Sequence, residues 1–194
     1  MSVTFPPAEL NVLLLYDYNP QWTPVEKDEV AEAHSRLTDA LASSGFSIDL
    51  LPVVDKHFPE RLSTYDSREF VLFNWCDGIP GLHHSEYLVV HQLEQMGYVF
   101  TGSSAATLSL SYDKRTVKEI LDRHKVPTPH WKLYTSSKSN GWHQFPAIVK
   151  PAKGHCSEWL TSESVAMDAT ELHERISYLV DDIGMPAIVE DFID

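Results

Sequence analysis

The chain has 194 residues, 43% of them hydrophobic, with 28 acidic against 15 basic side chains and a formal net charge of −13. That charge excludes nucleic-acid binding by counterion release, which needs clustered Lys and Arg, and it opposes an anionic membrane surface; any phosphate ligand must be held by a few placed cations rather than by a general positive field. Length and apolar content suffice for one sizeable core or two small ones.

Cys76 and Cys156, the 2 cysteines, form neither a C-x-x-C pair nor a disulfide framework, which fits a reducing cytoplasm. The first lysine is Lys27, so the start of the chain lacks the basic region of a secretory signal. The aliphatic run from Val12 to Leu15 is far too short to span a bilayer. These features predict a cytoplasmic protein.

In chain order, Val12 to Tyr16 reads as a buried strand. Thr23, Pro24 and Glu26 then form a capping box with proline at the first helical position, and Val30, Ala33, Leu37 and Leu41 make one helical stripe, read as core, that Gly45 ends. Phe46 to Leu51 and Phe70 to Trp75 read as strands, Ser85 to Met96 as a helix stopped by Gly97, and Tyr98 to Thr101 as a short strand. Strands separated by helices predict a parallel sheet with helices on its faces. Ligands of such sheets bind beyond the carboxyl ends of the strands, here Asp17 to Asn19, Asn74 to Gly78 and Thr101 to Ser103.

Past Ser104 the pattern changes, and a domain boundary is placed there, between 1–104 and 105–194. Asp113 is suited to cap a helix carrying Val117, Ile120, Leu121 and His124, which Val126-Pro127-Thr128-Pro129 breaks. Strands follow at Trp131 to Tyr134, Phe145 to Lys150 and Trp159 to Thr161, with Pro151 ending the second and a polar loop from Thr135 to Trp142. Asp168 and Glu171 read as a second capping box, before a helix with Leu172, Ile176, Leu179 and Val180. Ala187 to Glu190 is the last strand. Lys150 stands out: a cation at the mouth of a buried strand is costly to desolvate unless an anion meets it, and a loop containing Gly154 follows it.

Taken in order, Phe100-Thr101-Gly102-Ser103, Tyr112-Asp113-Lys114, Val126 to Pro129, Ile148-Val149-Lys150-Pro151 and Ile188 to Ile193 resemble the ATP-grasp ligases, and among them the D-alanine–D-alanine ligase branch, over Val12 to Ile193. The resemblance implies a Rossmann-like parallel sheet (a pre-ATP-grasp domain) followed by a smaller α+β ATP-grasp subdomain. It implies ATP as ligand, with Lys114 and Lys150 on the phosphates, Ser157 donating to a phosphate, and Glu190, Asp191 and Ile193 reading adenine. Trp159 stands where that pattern has a glycine. The implied chemistry phosphorylates a carboxylate to an acyl phosphate, which an amine attacks to give an amide. Mg²⁺ and its carboxylate ligands belong, by resemblance, to a C-terminal domain beyond a hinge. The chain reaches that hinge at Asp194, so the C-terminal domain is expected to be absent and the chain inactive alone. The implied partners are a nucleotide and a small carboxylate or amino acid, with a homodimer formed through the first domain. Glu26 and Asp28 are candidates for the substrate-binding acid, and Asn74 to Gly78 for a substrate-side loop.

Plainer readings stand beside these. Lys150 reads equally as a strand-end lysine snorkelling to water, and Glu190 as an ordinary strand-end acid. Lys114 by itself reads as a solvated first-turn residue, though its position against the helix dipole favours a ligand. His83, His84 and His91 lack metal-ligand spacing. His155-Cys156-Ser157 suggests a nucleophile without an identifiable orienting acid. A competing function is a non-enzymatic small-molecule or protein-binding module with a degenerate ATP-grasp subdomain.

Overall fold

The computed structural model describes residues 11–139, 141–155, 157 and 159–193. Cys156 of the nucleophile reading, and the start of the chain on which the signal reading rests, lie outside them. The chain divides into two compact units, Met1–Leu108 and Ser109–Asp194.

The first unit is built on strands β1 (Asn11–Asp17), β2 (Ser47–Val53), β3 (Phe70–Trp75) and β4 (Val99–Phe100), all parallel in the order β2-β1-β3-β4. Helix α1 (Pro24–Ser43) opens with the expected box: Glu26 N donates to Thr23 Oγ1 at 3.3 Å, and Thr23 N donates to the Glu26 carboxylate at 2.7 Å. Its stripe of Val30, Ala33, Leu37 and Leu41 is half-buried, and no residue of the helix is fully buried. The stripe was expected to be core; a single helix covering one sheet face leaves its own flanks in water. The other face holds the core, where Leu13, Leu15 and Leu72 pack against Val89 and Leu93 of α3 (Glu86–Gln95). Phe58 and Leu62 of α2 (Phe58–Leu62) complete it. This five-residue helix is too short for periodicity to reveal. The chain passes from β2 across β1 to β3, so the topological switch lies between the carboxyl ends of β1 and β3. Among the described residues, strand β2 is an edge of this sheet.

Helix α4 (Ala105–Ser111) leads into the second unit, and the sequence pattern gave no sign of it. There, α5 (Lys114–Arg123) is capped by Asp113, whose carboxylate accepts from Thr116 N at 3.2 Å. Strands β5 (Trp131–Tyr134), β6 (Ala147–Pro151), β7 (Val165–Ala166) and β8 (Ala187–Asp191) form an antiparallel sheet in the order β5-β8-β6-β7. Strict alternation sorts its faces. Ala147, Val149, Ala187 and Val189 enter a core with Leu172 and Ile176 of α6 (Ala169–Ser177) and with Leu179. Ile148, Lys150, Ile188 and Glu190 therefore point the other way. A slip of one residue would bury Lys150 in that core.

Three expectations need correction in this unit. No strand forms at Trp159 to Thr161: Trp159 takes φ +61°, which breaks a ladder, and Thr161 instead caps a 3₁₀ turn ahead of β7. His124 lies just outside α5, as its C-cap, and the fully buried residue of α5 is Lys118. The second capping box is half made: Asp168 accepts from Thr170 N and Glu171 N, but the Glu171 carboxylate reaches Met167 N at 2.7 Å, outside the helix cap.

Candidate functional site

Lys150 lies near the end of β6, diagonal to Glu190, because Ile148 pairs directly with Glu190 and Lys150 with Ile188. Diagonal neighbours on one sheet face are within reach of long side chains, and Lys150 Nζ meets Glu190 Oε2 at 3.1 Å. A second ammonium shares that oxygen: Lys118 Nζ, on α5, is 3.4 Å from it. The Lys118 and Glu190 side chains are each only 9% exposed, against 25% for Lys150. Lys118 Nζ also donates to Thr128 Oγ1 and to Pro129 O. The proline-rich break after α5 thus supplies acceptors that a buried ammonium requires. Sequence reasoning missed Lys118. The available signal was its place four residues after Lys114, which puts both on one helical face.

Lys114, Lys150 and Ser157 come together around a depression of about 310 Å³, with Lys153, Gly154 and His155 among its other lining residues. None of the described lining residues is acidic. The loop's course is fixed at its root: Lys114 N donates to Ala152 O at 2.8 Å, Gly154 N to Tyr112 O at 3.1 Å, and Lys114 Nζ to Gly154 O at 2.7 Å. Ser157 and Trp159 both occupy the left-handed region, at φ +57° and +61°. That conformation is unfavourable for a residue with a side chain and free for glycine. Trp159 is held in it by the buried Arg175, whose guanidinium donates to Trp159 O and stacks on the Tyr178 ring at 4.7 Å.

The remaining predicted residues lie apart from this depression. Asp191 N donates to His130 O at 3.1 Å, and Gln144, with its amide nitrogen turned toward the Asp191 carboxylate, donates to it at 2.7 and 3.2 Å. Ile193 is 69% exposed. Glu190 touches Lys150 but does not line the depression.

The first unit has its own cavity, about 240 Å³, at the carboxyl ends of β1 and β3, which is the topological switch. Asp17, Asp77, Trp22, Trp75 and His34 line it. The His34 ring lies 4.0 Å from Tyr16 and 5.4 Å from Trp75, and Asp77 N donates to Asp17 Oδ1 at 3.3 Å. Loss of solvent pushes the Asp77 carboxyl above the usual carboxylate range, with Asp17 and Glu86 adding to the effect. Burial lowers the His34 imidazole, opposed by Asp17. Burial also pushes the neighbouring Cys76 thiol up to about 12. Of the acids expected on the substrate side, Glu26 is committed to its helix cap and Asp28 is exposed. Asp77, from the expected Asn74 to Gly78 loop, is at the cavity.

A parallel sheet of order β2-β1-β3-β4 followed by an antiparallel sheet is a fold shared with solved D-alanine–D-alanine ligase structures. The chain's homologues, at modest identity, are D-alanine–D-alanine ligases. No protein-family model matches the chain. The D-alanine–D-alanine ligase of Verminephrobacter eiseniae is 36% identical over 79 residues, which are 39% of this chain and 24% of that protein. An uncharacterised protein of Sinorhizobium fredii, y4sG, is 30% identical over 128 residues, 64% of this chain and 36% of that protein. The chain therefore spans well under half the length of these relatives. Among solved structures, D-alanine–D-alanine ligase from Bacillus anthracis superposes with a TM-score of 0.67 at 19% identity, covering 95% of this chain and 58% of that one. The same ligase complexed with ATP gives 0.65, again at 19% identity, with 95% and 59% covered. This likeness establishes the fold.

Proposed function

We propose that the second unit binds ATP, with its phosphates in the depression between Lys114, Lys150 and Lys153. The observation that carries the reading is a cavity whose described lining holds three lysines and no acid, in a chain of net charge −13. A polyphosphate is the ligand such a cavity suits: each ammonium offers charge-assisted hydrogen bonds, roughly twice as strong as neutral ones. Glu190 holds Lys150 in place through its carboxylate. Lys114 Nζ, which donates to Gly154 O, stands at the same depression. Ser157 adds a hydroxyl donor, and the segment of Glu190, Asp191 and Ile193 is assigned to adenine. In the first unit, the Asp17 and Asp77 cavity is assigned to the ammonium group of an amino-acid substrate. Carboxylates supply the charge, and the faces of Trp22 and Trp75 suit a cation.

The reaction proposed is ATP-dependent carboxylate–amine ligation of the D-alanine–D-alanine ligase type, by way of an acyl phosphate. Mg²⁺, when bound, would shield the phosphates. The depression offers lysines where a divalent ion needs oxygens, and among the described residues no three His, Cys, Asp or Glu side chains converge as a metal site. No step is therefore assigned to the metal at these residues.

Calorimetry with ATP tests the reading. A binding isotherm is expected, weakened at least tenfold by Lys150→Ala; the absence of heat with about 1 mM chain would sink it. A second reading, a non-catalytic binding module, draws on the left-handed Trp159 in the phosphate loop. Amino-acid binding to the first unit, with no ATP binding to the second, would favour it.

A further inference from the structure

The second unit carries another cavity, which the nucleotide reading leaves unused. Its volume is about 380 Å³, within the range of small-molecule sites. It lies between the loop after β5 and helix α6, on the sheet face opposite Lys150. Its floor is Tyr134, 1% exposed, whose hydroxyl has no hydrogen-bond partner among the described residues. Buried hydroxyls are nearly always paired, and one left unpaired marks a place where a partner belongs. The walls are apolar: Trp142, Leu172 and Ile176 are all buried. The Trp142 indole N–H is already satisfied by Gln144 O, and its ring stacks on His130 at 4.9 Å. That leaves a flat hydrocarbon surface facing the cavity with no polar demand of its own. At the rim stand Lys138, His143 and His173, all exposed. None of the described lining residues is acidic, although acids outnumber bases 28 to 15 in the chain.

These features rank possible ligands. An apolar wall with one buried hydroxyl below and the Lys138 ammonium above fits a flat molecule, polar at both ends and anionic at the outer one. We propose that this cavity binds a small hydroxyaromatic carboxylate. The ring lies against Trp142 and Leu172, the phenolic hydroxyl exchanges a hydrogen bond with Tyr134 Oη, and the carboxylate remains at the wet rim beside Lys138. That orientation keeps the charge hydrated and gives the orphan hydroxyl its partner. The opposite one would bury a carboxylate.

The test uses 4-hydroxybenzoate, benzoate and 4-hydroxybenzylamine, titrated into the ¹⁵N-labelled chain and followed by amide and indole shifts. For probes of this size, ordinary ligand efficiency sets Kd in the millimolar range. 4-Hydroxybenzoate is expected to give saturable shifts at Tyr134, the Trp142 indole and Leu172, with an affinity several-fold above that of benzoate. The amine, which reverses the outer charge, is expected to give none. Tyr134→Phe should remove the advantage of 4-hydroxybenzoate over benzoate while leaving benzoate binding unchanged. Lys138→Ala should weaken both acids. No saturation by about 20 mM, equal binding of the amine, or an undiminished hydroxyl advantage in Tyr134→Phe would overturn the proposal. ATP binding at the lysine depression is measured separately, so failure of either assignment leaves the other standing.

Discussion

Replacing Glu190 by glutamine isolates the electrostatics at the centre of the second unit. One carboxylate oxygen faces two ammonium groups, Lys150 at 3.1 Å and Lys118 at 3.4 Å. At an effective dielectric of about 20, each attraction is worth roughly 5 kcal/mol before desolvation is charged against it. Glutamine keeps the shape and an acceptor oxygen but removes the charge. Lys150, a quarter exposed, can turn to water; Lys118, at 9%, cannot and is left as an uncompensated buried cation. Breaking a buried pair in this way costs about 3–5 kcal/mol, and the freedom of Lys150 places the expectation near the lower end, at about 3 kcal/mol. Lys118→Met with Glu190→Gln should recover more than half of that loss, because an apolar replacement of a buried pair is often neutral. Urea unfolding at pH 7, followed by the fluorescence of Trp131, Trp142 and Trp159, supplies the cycle. A loss below about 1 kcal/mol for Glu190→Gln, or a double variant no more stable than that single one, would refute the reasoning.

Trp159→Gly should raise stability by about 0.5–1 kcal/mol, since it removes a left-handed tryptophan from the loop; a lowered melting temperature would contradict the assigned strain. The Cys76 thiol stays neutral in the fold to about pH 12, whereas its ordinary value is 9.0, so only the unfolded chain ionises as pH rises between the two. Stability referenced to Cys76→Ala should therefore be complete below pH 9 and fall by about 1.4 kcal/mol per pH unit above it; a flat difference would refute it. Asp77→Asn should raise the melting temperature at pH 7 and converge with the parent at pH 3, because the fold disfavours the charged carboxylate that asparagine replaces. The same change should weaken binding of an amino-acid ammonium, measured by calorimetry.

Much of the architecture was legible because single faces had to be buried. The apolar run at β1 and the alternation at β6 and β8 left one workable orientation, and Thr23, Asp113 and Asp168 mark helix starts by their cap chemistry alone. The short helices α2 and α4 carry too few turns for a period to show. The strand expected at Trp159 failed because its apolar residues imitate a ladder, while the left-handed backbone and the bond from Arg175 are tertiary facts. At the site, Lys114, Lys150 and Ser157 were legible and do converge. Lys118 was not, because a buried lysine looks in sequence like a solvated one until its acceptors, Thr128, Pro129 and Glu190, arrive from elsewhere in the chain. The cavity lining at Asp17 and Asp77 joins residues sixty positions apart in sequence, held by one backbone-to-carboxylate bond.

The edge position of β2 has a consequence for colloidal behaviour. Among the described residues, its seven residues run unpaired along one side, with Leu50 46% exposed, which is the template on which a second chain could polymerise. Two residues spoil that template. Pro52 interrupts the row of donors, and the exposed Asp49 sets a negative charge on the strand. Together with the overall charge of −13, which makes copies repel, they act as gatekeepers against fibrous self-association.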